Sequence, residues 1–133
     1  MKITIVGCGD AFGSGGRLNT CFHVETNDKS FLIDCGATAL PGLKRLGIAR
    51  NPIDLILVTH FHADHVGGIP PFILDAQFLS RRTADLTIAG PPGLADGIRA
   101  RSTSRFRARL PPNASSRCGW SSWSRRSGWI WMA

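Results

Sequence analysis

Three imidazoles and a carboxylate fall within six residues in Thr59-His60-Phe61-His62-Ala63-Asp64-His65. The apolar run Leu55-Ile56-Leu57-Val58 precedes them and Gly67-Gly68 follows. Nitrogen and carboxylate donors together suit zinc or a similar transition ion, bound at about 2 Å. Side chains two apart on an extended strand end project to the same side, so His60 and His62 can close on one ion. Asp64 and His65 lie past the strand, where a turn can bring them onto a second ion about 3.5–4 Å from the first. Histidines that merely pack rarely show this spacing, so a binuclear ion site is the expectation.

The surrounding elements must carry these donors to the end of a strand. Residues 54–59 read as that strand, and the unbroken apolar run implies cover on both faces. Residues 20–34 form a hairpin turning at Asn27-Asp28-Lys29-Ser30 and ending in Asp34, just before Cys35-Gly36. A carboxylate there can cap a loop, or it can hold a ligand histidine in the required tautomer. Within the hairpin, His23 alternates with Phe22 and Val24, which makes it a polar-face residue rather than a ligand. Residues 2–7 form a first strand, and the glycine-bearing segment 8–19 is a loop. A dinucleotide site would need a helix opening at those glycines, and Ser14-Gly15-Gly16 argues against one. Leu40, Leu43 and Leu46 mark a short helix over 37–47, with Pro41-Gly42 as a point of distortion. Pro70-Pro71 open another, reaching about Ser80. Residues 85–89 return as a strand, and Gly90-Pro91-Pro92-Gly93 leads to a helix from Leu94. The chain therefore alternates as α/β.

At 133 residues there is room for one domain at most. No run approaches the roughly 18 apolar residues of a membrane span, and the first residues lack a secretory pattern, so a cytoplasmic location is expected. Cys8, Cys21, Cys35 and Cys118 lack paired spacing and read as free thiols. The net charge of +7 is unevenly placed. Residues 1–98 hold eight Lys and Arg against nine acids, whereas residues 99–133 hold eight arginines and no acid. All four tryptophans and eight serines also fall in 99–133, without an apolar period. The expected organisation is a domain over 1–98 and an Arg/Ser/Trp-rich tail over 99–133 that is disordered or out of frame. Nucleic-acid binding by charge and stacking is the tail's alternative role.

His60-x-His62-x-Asp64-His65 after a buried strand resembles the metallo-β-lactamase superfamily of binuclear metallohydrolases. Phe31-Leu32-Ile33-Asp34-Cys35-Gly36 is similar to that family's earlier Asp-ended strand. Leu86-Thr87-Ile88-Ala89-Gly90-Pro91-Pro92-Gly93 and Gly7-Cys8-Gly9 through Gly13, with Arg17, are similar to its ribonuclease Z-like branch. The resemblance covers roughly residues 1–98. It implies the N-terminal half of an αββα sandwich, followed here by the irregular tail. It also implies two divalent ions, zinc foremost and manganese as alternative. His60 and His62 would hold the first ion and Asp64 and His65 the second, with Asp64 as the catalytic residue orienting the nucleophile and Asp34 behind the ligands. Gly67-Gly68 would let substrate approach closely. The implied reaction is hydrolysis of a small-molecule or nucleic-acid phosphodiester, with lactones, thioesters and β-lactams open on the same chemistry. Asp34-Cys35-Gly36-Ala37-Thr38 departs from the Asp-Cys-Gly-Glu-Gly of tRNA-processing members, and their substrate-gripping arm is not visible.

The family's remaining ligands, two histidines and a bridging aspartate, come later in its chain. No histidine follows His65 here and no acid follows Asp96. The expectations are therefore half a site, weak metal retention and impaired turnover. Apolar strands left uncovered would favour aggregation or dimerisation, with no membrane partner. The alternative is a non-catalytic remnant with a basic nucleic-acid-binding tail.

Overall fold

The computed structural model describes residues 1–101 and 122–123. Among them, six strands form one sheet in sequence order: β1 (Lys2–Gly7), β2 (Cys21–Glu25), β3 (Ser30–Ile33), β4 (Leu55–Leu57), β5 (Leu86–Ala89) and β6 (Ser122–Trp123). β1 pairs antiparallel with β2, and β2 with β3 through the expected hairpin, where Thr26 N–H donates to the Lys29 carbonyl at 2.8 Å. β3, β4 and β5 run parallel, and β6 returns antiparallel to β5. Parallel neighbours need long crossovers. The first is α1 (Ala39–Arg45); the second holds α2 (Ala63–Val66), α3 (Ile69–Leu74) and a π-helical turn (Asp75–Leu79). α4 (Leu94–Arg101) follows β5 and crosses the change of composition at residue 99. The rest of the Arg/Ser/Trp-rich segment, where an irregular tail was expected, lies outside the described residues apart from β6.

Register aligns Thr4, His23, Leu32, Ile56 and Ile88 across one face of the sheet. The helices cover that face: Leu32, Ile56 and Ile88 are buried in one cluster with Leu43 of α1, Ile69 and Phe72 of α3, and Leu94 and Ile98 of α4. On the other face Ile3 and Ile5 are 56% and 60% exposed, and Phe22, Phe31, Ile33, Leu55 and Leu57 are half-buried. Cover of β4 is thus complete on the helix side and partial on the other, where the apolar run implied cover on both faces. His23 also differs from expectation: it is buried on the helix-covered face, its Nε2 2.8 Å from the Ser30 hydroxyl. That burial lowers its pKa, with Glu25 acting in the opposite sense.

Pro41 does not distort α1, because it stands in the first turn, where the missing N–H has no helical partner to lose. The helix expected to reach Ser80 instead widens at Asp75, where Ser80 N–H bonds the Asp75 carbonyl at 2.7 Å. The wider turn brings the Ser80 hydroxyl onto the buried Asp75 carboxylate, which Lys44 at 2.9 Å and Arg50 at 3.2 Å also approach. These contacts hold the Asp75 pKa down, although burial pulls it upward. Arg82 is 1% exposed and donates to the carbonyls of Ala84, Asn51 and Ile53 at 2.8 Å each, and to that of Asp85. It fastens the segment entering β4 to the segment entering β5, at the end of the sheet opposite the histidines.

Candidate metal centre

Parallel pairing of β3 with β4, Ile33 opposite Leu57, ends both strands at one edge. The next residues of each strand therefore meet there, the usual place for a ligand in an α/β sheet. Asp34 N–H bonds the Leu57 carbonyl at 2.7 Å, and its backbone takes the left-handed conformation at φ 58°. That turn sends a carboxylate that is 2% exposed beneath Thr59. Thr59 N–H donates to Asp34 Oδ1 at 2.8 Å, and the Thr59 hydroxyl lies 3.0 and 2.9 Å from the two carboxylate oxygens. Asp34 Oδ2 also lies 2.7 Å from His65 Nδ1.

Between the first two histidines, Phe61 packs against the hydrophobic core, so His60 and His62 fall on the opposite side of the extended chain. His62 opens α2, whose single turn carries Asp64 and His65; His65 N–H bonds the His62 carbonyl at 2.9 Å. The rings converge. The centroid of His60 is 4.6 Å from that of His62 and 4.0 Å from that of His65.

Two close donor pairs result. His60 Nε2 and His62 Nδ1 are 3.1 Å apart, and His65 Nε2 and Asp64 Oδ2 are 3.3 Å apart. Ligands at about 2.0–2.1 Å in a tetrahedron stand roughly 3.3 Å from one another, so each pair has the separation of one tetrahedral edge. The third imidazole is also prepared: with Nδ1 occupied by Asp34, His65 presents Nε2. The donor set thus fits a borderline transition ion. Among the described residues, no three such groups surround one point.

The structure brings together His60, His62, Asp64, His65 and Asp34, and leaves His23 apart with Ser30. It also brings in Thr59, whose part was not read from the sequence; a hydroxyl residue directly before the first histidine was the available signal. Gly68 serves another purpose than substrate approach. It is buried, its N–H bonds the Cys35 carbonyl at 2.8 Å, and a side chain there would strike the Gly36 carbonyl. Gly36 in turn lies so close to the Asp64 carbonyl and the Asn19 side chain that it has no room for a methyl group. Paired bare backbones therefore seat α2 against the end of β3.

A family model described as Anti-Pycsar protein Apyc1 matches residues 1–96. An Anti-Pycsar protein Apyc1 of Bacillus phage vB_BsuM-Goe3 is 41% identical over 91 residues, covering 68% of this chain and 35% of the relative. A ribonuclease Z of Agathobacter rectalis is 35% identical over 100 residues, covering 75% of this chain and 33% of the relative. The chain spans about one third of the length of these curated relatives. Among solved structures, human tRNase Z, short form, superposes with a TM-score of 0.65 at 29% identity, over 75% of this chain and 38% of that one.

Proposed function

Since the chain belongs to the Anti-Pycsar protein Apyc1 family, we propose that residues 1–98 form the N-terminal part of a divalent-metal-dependent phosphodiesterase. The fold is that of the ribonuclease Z-like metallo-β-lactamase proteins, and the relationship is to nuclease-type metallohydrolases. The observation that carries the reading is the pair of donor edges, His60 Nε2 with His62 Nδ1 and His65 Nε2 with Asp64 Oδ2. The first pair would hold one ion and the second pair another. Two imidazole nitrogens in the first pair favour zinc over manganese there. When bound, such ions supply Lewis acidity and lower the pKa of a bound water toward about 7.

The chain's own groups contribute position and proton handling. Asp64 has one carboxylate oxygen near His65, and the other is available to orient an attacking water toward a phosphodiester. Asp34 keeps the imidazole of His65 turned so that Nε2 faces the site. Among the described residues each ion would have two protein donors, fewer than the three or four of zinc sites in general. A polypeptide of these 133 residues is therefore expected to bind zinc weakly and to cleave a chromogenic phosphodiester slowly.

Calorimetric titration with zinc tests the site directly. His62→Ala is expected to weaken zinc binding by roughly tenfold or more, together with any cleavage. Equal zinc binding by His62→Ala and the parent chain would remove the site, and with it the hydrolase reading.

A further inference from the structure

We propose that Thr59 is a positioning residue, whose hydroxyl passes the orienting effect of Asp34 on to His60. One buried carboxylate then sets the tautomer of two imidazoles, His65 directly and His60 through Thr59. The inference deepens the metal-site reading and rests on it for its purpose, though not for its test.

The argument is an accounting of protons. An ionised carboxylate only accepts hydrogen bonds, and a hydroxyl has one proton to give and lone pairs with which to accept. The Thr59 hydroxyl lies 3.0 and 2.9 Å from the oxygens of Asp34, so its single proton is directed there. Its oxygen also lies 3.0 Å from His60 Nδ1. With the hydroxyl proton committed to Asp34, this second contact requires the proton to sit on His60 Nδ1 and to be donated to Thr59. His60 Nε2 is then left with its lone pair, directed at the side where His62 Nδ1 stands 3.1 Å away. The same carboxylate takes the Nδ1 proton of His65 at 2.7 Å, leaving Nε2 of that ring facing Asp64 at 3.3 Å. Both rings thus present the nitrogen a metal would use. The backbone supports the relay, because Thr59 N–H also binds Asp34 at 2.8 Å and holds the carboxylate within reach of the hydroxyl.

Long-range proton–nitrogen spectra of the metal-free, nitrogen-15-labelled chain, taken at a pH where the imidazoles are neutral, read the tautomers. The parent is expected to show His60 and His65 with the proton on Nδ1. In Thr59→Val, His60 should move toward the Nε2-protonated form or a mixture while His65 stays as it was. Thr59→Ser should restore the parent pattern. Thr59 is exposed, so the valine removes a hydroxyl without opening the core. An unaltered His60 in Thr59→Val overturns the proposal, as does a parent chain whose His60 already carries its proton on Nε2; the parent measurement stands even if a variant misfolds.

Zinc titration separates this proposal from the reading beneath it. The valine variant is expected to lose about 10–100-fold in zinc affinity, recovered in Thr59→Ser. A tautomer that moves in a chain that takes up no zinc would uphold the relay and overturn the metal site.

Discussion

Arg82→Met is expected to lower the unfolding free energy by about 4 kcal/mol, near the top of the range for single substitutions. The guanidinium donates to the carbonyls of Asn51, Ile53, Ala84 and Asp85, and more distantly, at 3.4 Å, to that of Arg50. Ile53 is buried, so its carbonyl left unpaired costs roughly 1–3 kcal/mol. Asn51, Ala84 and Asp85 are exposed, and their carbonyls lose bonds to a charged donor, each worth about 1.5–3 kcal/mol, that water partly replaces, while the methionine fills the space with apolar atoms. Burial holds the Arg82 pKa below its usual value, while Asp54 and Asp85 pull it back upward. A domain of this size has only about 5–15 kcal/mol to lose. Urea denaturation followed by circular dichroism should show the shift. Arg81→Met, one residue away and exposed, should change stability by no more than about 0.5 kcal/mol. Similar midpoints for both variants would show that the carbonyls find other donors.

Gly36→Ala is the second large effect, and it reaches the metal motif as well as the fold. The added methyl would overlap the Asp64 carbonyl and lie 2.5 Å from the Asn19 side chain. Asn19 cannot give way cheaply: it is buried, its side chain donates to the Asp10 carbonyl at 2.8 Å and accepts from Thr38 at 3.2 Å. The alternative is for α2 to lift from the end of β3, carrying Asp64 and His65 away from His60 and Asp34. The expected cost is about 3 kcal/mol, with weakened zinc binding in the fraction that folds. Parallel denaturation and zinc titration would check both. A variant with parent-like stability and parent-like zinc binding would mean that the close backbone approach at Gly36 is not required.

Much of the architecture was legible because it depends on local pattern. Alternation with a turn at Asn27-Asp28-Lys29-Ser30 gave the hairpin, and the apolar run ending at Thr59-His60 located the motif at a strand's end. The convergence of Asp34 on His65 could be anticipated from two strand ends carrying the right groups, and the contact is present. What escaped reading depends on contacts distant in sequence. Nothing local marks Arg82 for burial; it is buried because carbonyls some thirty residues earlier turn toward it. His23 looks polar-faced because alternation distinguishes two faces without saying which one the helices cover. The widened turn at Asp75 follows from Lys44, Arg50 and Ser80, none of which leaves a periodic trace in the helix itself.

The left-handed backbone at Asp34 narrows which side chains can stand at the root of the histidine cluster. Most residues with a Cβ pay for a positive φ, whereas glycine, asparagine and aspartate adopt it readily. Glycine would bring no acceptor, and asparagine would turn a donor toward atoms that already donate. Conformation and charge requirements therefore intersect in a single amino acid, which makes this position nearly irreplaceable.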